Sequence, residues 1–583
     1  MPLLRIRLKR LNIQNDGQRE GKLTMNPNPF GVTGFFFFGS LVASSAYLAI
    51  NKFSRKAFEK YWKIIIVLIL INILTKVPYK SNFFDGLEYE DSYIYKASAR
   101  ALYEGHYKIS AINPYYPASC IYGSLKDCQM SAIFVTNFLG YPYLIYLGYF
   151  LFGYHINISN IISLLFSGIS SSFLFIVALL ILNRFLYAFI CCFIYLTIPI
   201  FNVYASTSLT EPLSNAYLIL VLLLYLLFLN SVSEKRRLLS GDILGLAAIT
   251  FSTIFSILIK TANIILVFCL PTAGLIFLAS ENKIKYKVWK DKFLTSLLPF
   301  FLTFLFSYLV LNFQIAIEIN RKDIGANPFS FSYFKALAPV FGLSFFNFQW
   351  YLIYTLFFLA GIIFGLKNKS GLFPTVVFLC YFALYTFHYR SYYFTRGLPV
   401  AKDETLRYMT SIVSVYSLIV GLGIYYLFSF LGRAKIIKSP GKIKKILIAF
   451  LIIITSGTSI LFTLKCREYF VEDEQNVRIS PVLRTLEYLN QKDDILITSE
   501  HILFQIYGNN DLKLVDLCSI NILIPEEEID KLINSGTVYY LDTIARDSLD
   551  EERYLLQLQY LDKKRKELIY CGQSYKIYRL LPE

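Results

Sequence analysis

Residues 205–230, ASTSLTEPLSNAYLILVLLLYLLFLN, contain both kinds of segment from which this chain is built. The part from 212 to 230 is apolar and uncharged, and a helix of that length, rising about 1.5 Å per residue, crosses a hydrocarbon layer of about 30 Å. The part before it is short and polar, and it ends in Glu211 and Pro212, which suit the first turn of a helix. The stretch therefore predicts a membrane-spanning helix that begins directly after a short polar loop.

The composition extends this prediction to most of the chain. Hydrophobic residues make up 55% of the 583 positions and charged residues 17%, with 45 Tyr and 52 Phe, so most of the surface must face lipid rather than water. From Arg467 to the end the chain has 22 acidic residues and 14 Lys and Arg, whereas its overall net charge is +17. We therefore predict a membrane protein with an acidic tail that begins near residue 466, and we expect no nucleic-acid partner.

Runs of roughly 17 to 25 apolar residues predict a mainly α-helical, polytopic bundle, because only helices satisfy their own backbone in lipid. About eleven spans are predicted: 61–79, 158–182, 185–203, 212–230, 241–259, 262–280, 293–316, 347–366, 371–388, 408–431 and 446–465. Phe30–Ile50 is the candidate for a twelfth span, and the sequence does not decide whether it crosses.

The charges of the loops predict the orientation of the bundle, because cytoplasmic loops are enriched in Lys and Arg. Basic residues fall in alternate loops, at Lys52–Lys60, Arg184, Lys235–Arg237, Lys283–Lys292, Lys367–Lys369 and Arg433–Lys445. The alternation holds if Tyr141–Gly153, which is too short to span, lies along the outer interface. The acidic tail then falls outside a cell membrane, and a prokaryotic cytoplasmic membrane is the favoured location.

Three regions are predicted. Residues 1–60 form a basic segment with the candidate extra helix, residues 61–465 form the membrane domain with a first outer loop over 80–157, and residues 466–583 form a small outer α/β domain. In that last region Leu483–Leu489 and Glu526–Ile533 have helical spacing, and Asp494–Thr498 and Thr537–Leu541 have the composition of strands.

The first outer loop contains the most informative stretch, FFDGLEYEDSYIYKASARALYEGHY at Phe83–Tyr107. A helical pattern from Ser92 to Tyr103 places Glu90 and Asp91 near a helix N-terminus, where the helix dipole favours ionised carboxylates. Such carboxylates can act as bases, although they also suit an ordinary helix start. Glu211 lies on the same predicted membrane face, and a simple capping role explains its local sequence as well.

A late outer loop, HYRSYYFTRGLPVAKDETLRY at His388–Tyr408, is basic against the inside-positive bias. Its cations are Arg390, Arg396, Lys402 and Arg407. They can bind an anionic group, and attraction to lipid headgroups is the alternative. Lys260, at an outer turn between two apolar runs, is a further candidate cation, with a snorkelling interfacial lysine as its alternative.

In their order these parts resemble the GT-C class of membrane glycosyltransferases, which includes the protein mannosyltransferases and the aminoarabinose transferase of lipid A. The resemblance covers roughly residues 61–430. It rests on the run DSYIYKASAR from Asp91, on Leu151–Phe152–Gly153, on LTEP at Glu211, on GLAAIT from Gly245 and on Arg407–Tyr408. Many relatives have Asp–Glu where this chain has Glu90–Asp91, and their proline-rich stretch before the juxtamembrane helix is reduced here.

The resemblance implies transfer of a sugar, with inversion, from a polyprenyl-phosphate donor to a lipid, glycan or protein acceptor. Asp91 is then the candidate base, with Glu90 and Glu211 positioning the acceptor or, alternatively, holding a divalent metal. The candidates for binding the donor phosphate are Arg390, Arg396, Lys402, Arg407 and Lys260. The candidates for contact with the sugar or acceptor are Tyr93, Tyr95 and His388, although such tyrosines also form the aromatic belts of membrane proteins.

The cysteines give no metal or redox motif, since no CxxC pair occurs among the nine. Cys120 with Cys128, and Cys518 with Cys571, are candidate disulfide pairs in an oxidising compartment, with free thiols as the alternative.

Two other classes of protein remain as alternatives. A transporter or flippase of lipid-linked sugars is expected to carry charges inside its spans and related halves, whereas these spans are almost uncharged and no repeat occurs. An outer-face glycan polymerase or ligase would use the outer arginines without requiring the acidic pair.

Overall fold

The protein is described from a computed structural model that covers most of the predicted bundle and tail. The described residues are 29–76, 90–103, 140–234, 240–279, 294–306, 330–345, 352–368, 371–387, 408–433, 449–450, 452–457, 459–461, 480–489, 494–498, 507, 513–516, 526–543, 559–572 and 575–582.

Within the described residues, helices form the membrane part and five strands lie in the tail. The helices are α1 (Pro29–Ile50), α2 (Lys52–Lys76), α3 (Glu90–Tyr103), α4 (Gly140–Phe152), α5 (Ile158–Leu182), α6 (Phe185–Thr197), α7 (Pro199–Ala205), α8 (Thr210–Glu234), α9 (Ser240–Ile259), α10 (Leu266–Ala279), α11 (Leu294–Phe306), α12 (Phe331–Ser344), α13 (Leu352–Lys367), α14 (Leu372–Phe387), α15 (Val413–Arg433), α16 (Ile452–Leu461), α17 (Ser480–Tyr488) and α18 (Glu526–Ser535). The strands are β1 (Ile495–Thr498), β2 (Lys513–Asp516), β3 (Val538–Thr543), β4 (Lys566–Cys571) and β5 (Tyr575–Leu580). The predicted fold class, a polytopic helical bundle with a small α/β domain, is confirmed.

Six helices in the described part of the chain are long and apolar enough to cross a membrane, and up to eight spans result if each of two bent pairs counts as one. The six are Gly31–Ile50, Ile158–Leu182, Thr210–Val232, Gly241–Ile259, Thr261–Ala279 and Val413–Phe430. The chain is therefore a multi-pass membrane protein. The total of eleven or twelve spans stays a prediction, because several predicted spans extend into residues outside the described ranges.

Helix α1 packs antiparallel to α9, and the question whether Phe30–Ile50 crosses the membrane stays open. Ser40 and Ser44 each hydrogen-bond Ser252 at 2.9 Å. Near the other end, the ring of Tyr47 lies so close to Gly245 that a Cβ there would be 2.8 Å from it. Small residues and hydroxyl pairs are typical of helix contacts in lipid. Phe30–Ile50 thus belongs to the bundle as a helix of spanning length.

Helix α2 begins earlier than predicted. Lys52 and Arg55, which the sequence placed in a loop, lie in its first turns. The helix has 25 residues and, at 1.5 Å per residue, is longer than the hydrocarbon layer of about 30 Å. Its basic end can therefore extend past the apolar layer, where the exposed Arg55 pairs with Glu59 at 3.4 Å.

The predicted span 185–203 is broken into α6 and α7, which are bent by 66°. Ile198 between them has φ −61° and ψ 116°, outside the helical region. Pro199 explains the break, because proline lacks an N–H donor and disfavours a helical conformation in the residue before it. Helix α7 consequently leads the chain into the short polar segment before Glu211.

Helix α12 lies in a stretch where the sequence gave no prediction of a helix. It packs on α14, with the rings of Phe334 and Phe387 stacked at 4.7 Å. The helix is only 14 residues long and contains Lys335 and Pro339, so it lacks the long apolar run that identifies a span.

The described strands of the tail form a mixed sheet in the order β2-β1-β3-β5-β4. Strand β1 is parallel to both β2 and β3, and β5 is antiparallel to β3 and β4. Both predicted tail helices and both predicted strands are present, as α17, α18, β1 and β3. The boundary near residue 466 stays a prediction, because residues 462–479 are outside the described ranges.

The tail domain packs against α3 of the first predicted outer loop. Ala97 on α3 is only 2% exposed and belongs to one hydrophobic cluster with Val482, Leu496, Leu541 and Ile577 of the tail. The sheet domain and the helix that begins at Glu90 therefore lie at the same end of the bundle.

Candidate functional site

A buried ion pair lies where α8 begins and α9 ends. Lys260 Nζ is 3.1 Å from Glu211 Oε1, and the two side chains are 11% and 2% exposed. Lys260 has extended backbone, φ −153° and ψ 120°, between α9 and the short 3-10 helix Thr261–Ile265. Glu211 is the second residue of α8. The helix ends therefore bring together two charges that are 49 positions apart in sequence.

The segment that leads into α15 completes this cluster. Lys260 Nζ donates to Ser411 Oγ at 2.6 Å and lies 5.6 Å from the ring centroid of Tyr408. The ring of Tyr385, at the end of α14, packs against that of Tyr408 at 5.8 Å. The Tyr385 hydroxyl is buried and has no hydrogen-bond partner within the described residues. We call Glu211, Lys260, Tyr385, Tyr408 and Ser411 the lysine site.

Two buried asparagines connect the helices and segments that surround the lysine site. Asn215 Nδ2 donates to the Thr410 carbonyl at 2.5 Å, and its Oδ1 accepts from the Ser414 amide at 3.0 Å, which ties α8 to the start of α15. Asn263 Oδ1 accepts from the Tyr381 hydroxyl at 2.6 Å, which ties the 3-10 helix to α14. Buried amides satisfied in this way fix the position of a segment. The lysine site is therefore held by hydrogen bonds that reach four different elements.

The helix that carries the predicted base packs beside α4. Asp91 is the second residue of α3, so the prediction of a helix with carboxylates at its start is confirmed. Further along α3, Tyr95 is 7% exposed and meets Tyr141 of α4 edge-on at 5.5 Å. Tyr95 thus contributes to the packing between α3 and α4.

Helix α4 in turn contacts the residue next to Lys260. A Cβ at Gly140 would lie 2.9 Å from both the Leu258 carbonyl oxygen and the Ile259 amide nitrogen. Because these are backbone atoms, they cannot move aside as a flexible side chain could. Glycine therefore lets the start of α4 touch the end of α9, and α4 connects the helix of Asp91 to the lysine site.

A hydrogen-bond chain also joins α4 to the segment before Glu211. The Tyr141 hydroxyl and Ser163 Oγ are 2.7 Å apart, and Ser163 Oγ donates to the Leu209 carbonyl at 3.4 Å. Leu209 is two residues before Glu211. Contacts through α4 therefore place the helix of Asp91, the start of α8 and the end of α9 at one end of the bundle, which we call the site end.

The structure brings together two of the predicted site residues, Glu211 and Lys260. Glu90 and Asp91 lie in the first turn of α3, and nothing is described of their side chains or of that of Tyr93. The predicted residues outside the described ranges are His388, Arg390, Arg396, Lys402, Arg407, Cys120, Cys128 and Cys518. Arg407 directly precedes Tyr408 of the lysine site. Cys571 is exposed at the end of β4, and both disulfide pairings stay predictions.

No three His, Cys, Asp or Glu side chains come together as a metal site in the part of the chain that is described. A metal held by Glu90 and Glu211 stays an untested alternative. In the structure, one oxygen of Glu211 is already engaged by Lys260.

The sequence prediction missed Ser411, Tyr385, Asn215 and Asn263. A signal existed for the asparagines, because each is a polar residue at the start of an apolar run, and Asn215 lies four positions, one helical turn, after Glu211. Ser411 and Tyr385 carry no comparable signal, because their roles depend on contacts across the bundle.

No protein-family model matches the chain, and no curated protein sequence matches it. Among solved structures, ArnT from Cupriavidus metallidurans in the apo state aligns with a TM-score of 0.57 at 11% identity, over 89% of this chain and 98% of that one. This chain has the ArnT fold. The alignment includes almost the whole of that protein, so bundle and tail are both part of the likeness.

Two further structures share the ArnT fold with this chain. ArnT bound to undecaprenyl phosphate aligns with a TM-score of 0.55 at 10% identity, over 89% of this chain and 98% of that one. The archaeal oligosaccharyltransferase AglB from Archaeoglobus fulgidus, in complex with an inhibitory peptide and a dolichol-phosphate, aligns with a TM-score of 0.51 at 11% identity, over 90% of this chain and 75% of that one. The resemblance to the GT-C class that the sequence predicted is confirmed for the fold.

Proposed function

We propose that the protein transfers a sugar from a polyprenyl-phosphate donor to a lipid, glycan or protein acceptor at the outer face of the membrane. The observation that carries this proposal is the buried Lys260–Glu211 pair at the site end, to which α4 connects the helix of Asp91. An ammonium group at the end of a membrane span suits a phosphate whose chain lies in lipid. Two structures with the same fold hold undecaprenyl phosphate and a dolichol-phosphate.

In the proposed reaction the acceptor hydroxyl oxygen attacks the anomeric carbon of the donor sugar. Its proton passes to the Asp91 carboxylate as the bond from that carbon to the phosphate oxygen breaks on the opposite face. The configuration at the anomeric carbon is therefore inverted. A positioned general base contributes about 100- to 10,000-fold to such a reaction.

The leaving phosphate gains negative charge, and the lysine site supplies the cation that stabilises it. Lys260 Nζ already has Glu211 and Ser411 as partners in the structure, so its position is fixed before the donor arrives. Glu211 accordingly orients the ammonium group. Arg407, which directly precedes Tyr408 in the sequence, is the candidate for a second cation at the phosphate.

The test is Asp91→Asn in purified protein that is reconstituted in liposomes and offered a panel of polyprenyl-phosphate sugars. We expect the variant to bind the active donor while release of the carrier lipid falls by about 100- to 10,000-fold. Lys260→Met should instead weaken donor binding. Glu59→Gln removes an exposed carboxylate at the opposite end of the span that precedes α3 and is the matched control.

Transfer by Asp91→Asn at the wild-type rate would show that the base has been assigned wrongly, and Glu90→Gln would then be the variant to examine. A wild-type protein that releases no carrier from any donor, but moves labelled lipid-linked sugar across the liposome bilayer, would replace the transferase proposal with a flippase.

A further inference from the structure

A second buried lysine, Lys76, lies at the last residue of α2 and is not used by the proposed reaction. It is 1% exposed. Its Nζ donates to Asn202 Oδ1 at 3.1 Å and to Thr75 Oγ1 at 3.4 Å, and it lies 5.7 Å from the ring centroid of Phe201. Within the described residues this ammonium contacts oxygens of neutral groups and an aromatic ring, and no carboxylate. It therefore differs from Lys260, whose charge is balanced by Glu211.

The ordinary explanation for a lysine at the end of a span does not fit Lys76. Such lysines extend their ammonium group to the headgroup region and water. Lys76 is instead turned into the protein, against Asn202 on α7. A buried ammonium without an anion is costly, so its position calls for a compensating negative group.

The partner of Lys76 has an unsatisfied donor of its own. Asn202 is 1% exposed, and its Nδ2 has no hydrogen-bond partner in the described part of the structure. Lys76 sets the orientation of the Asn202 amide, because an ammonium group donates hydrogen bonds and cannot accept them. A flipped amide would point its N–H donors at the N–H donors of Lys76. Within the described residues the ammonium group has only neutral oxygen partners and the amide Nδ2 has none, so two kinds of buried donor converge there without an anion. An oxyanion is the ligand that satisfies both.

We propose that Lys76 and Asn202 form a second anion site, separate from the lysine site, which binds a phosphate group. Phosphate is favoured because the end of a span lies at the depth of phosphate headgroups. The group can come from a lipid or from a free phosphate. This inference rests on contacts at α2 and α7 and does not require the proposed transferase activity.

The experiment measures thermal unfolding of the purified full chain in detergent at increasing concentrations of inorganic phosphate and, separately, of undecaprenyl phosphate. A ligand that binds the folded state raises the midpoint in a saturable manner. We expect Lys76→Met and Asn202→Leu to weaken the apparent affinity for one or both probes by about 10- to 100-fold, the worth of a charged hydrogen bond. Lys76→Arg should keep most of the effect.

Lys335→Met is the matched control, because Lys335 also lies over a phenylalanine ring, Phe331 at 5.4 Å, but is exposed. It should leave both titrations unchanged. A response to undecaprenyl phosphate alone that Lys76→Met loses would identify a lipid headgroup as the source, and such a response to inorganic phosphate would identify a free anion.

Two results would overturn the second anion site: a wild type that responds to neither probe, or Lys76 and Asn202 variants that titrate like the wild type. Failure of the proposed function would look different. If Lys260→Met retains a phosphate response that Lys76→Met loses, the second site stands, even if no donor in the panel supports transfer.

Discussion

Neutralising one member of the Lys260–Glu211 pair should destabilise the protein far more than neutralising both. In Glu211→Gln the ammonium of Lys260 loses its buried counter-charge, and in Lys260→Met the carboxylate loses its cation. The double variant removes both charges and leaves groups of similar volume. A double-mutant cycle therefore separates the interaction from the effects of the single substitutions.

The magnitude follows from the distance and the burial. At 3.1 Å and an effective dielectric constant of about 20, two unit charges attract by about 5 kcal/mol. The cost of removing both ions from water offsets much of this attraction, so the intact pair adds little net stability. Breaking a buried pair costs about 3–5 kcal/mol, whereas replacing both partners is often neutral. We expect single variants to lose about 3–5 kcal/mol and the coupling energy to exceed about 2 kcal/mol.

Equilibrium unfolding in mixed micelles gives the free energies of unfolding of the wild type, the two single variants and the double variant. Release of the carrier lipid from the donor gives the activity. The double variant should regain stability without regaining transfer, because the cation for the donor phosphate is absent. Additive single effects, with a coupling energy below about 0.5 kcal/mol, would contradict the ion pair. A stable double variant with wild-type transfer would refute the role of Lys260 in binding the phosphate.

Two further substitutions test the positioning of the site and the stability of the tail. Gly140→Ala should reduce transfer at least about tenfold by displacing α4 from the backbone of α9, whereas Gly342→Ala, at a helix position with no atom within 4 Å of the new Cβ, should leave transfer unchanged. In the tail, the hydrogen bond from Lys564 lowers the pKa of Asp530 below its ordinary value of 3.8, so the contribution of this pair is present above about pH 4 and is lost as the pH falls through the lowered pKa. Asp530→Asn should therefore cost under about 1 kcal/mol at pH 7, since the carboxylate is 41% exposed, and progressively less as the pH falls through the lowered pKa, as hydrogen exchange of β3 would report; a cost that does not fall with pH would contradict the pairing.

The spans could be predicted from sequence because each must be apolar and satisfy its own backbone within one continuous run. Where a local residue interrupts that rule, as Pro199 does within 185–203, the break could also have been predicted from residue type. The start of α2 could not be predicted, because the number of apolar residues in a run does not show that the helix continues outside the lipid to Lys52. The antiparallel pair β4 and β5 had a usable signal, since KELIYC and YKIYRL are rich in strand-forming residues and flank a short turn at Gly572.

The candidate site was predictable only as separate charges. Glu211 and Lys260 were recognisable because each is an ionisable residue at the end of an apolar run. Their contact, and the bond from Lys260 to Ser411, connect segments 49 and 151 positions apart. Such pairings depend on how helices are arranged around one another, and no local periodicity encodes that arrangement.

Lys260 and Lys76 differ in one respect that determines how each should respond to phosphate. Lys260 already has a carboxylate, so a phosphate that binds it must compete with Glu211, and the net gain in attraction is reduced. Lys76 has only neutral acceptors within the described residues, so a phosphate there adds the first counter-charge to a buried cation. If the two environments are equally accessible, the Lys76 site should fill at the lower phosphate concentration. Glu211→Gln should then raise the phosphate affinity of Lys260 while leaving that of Lys76 unchanged, because the competing carboxylate belongs to only one of them.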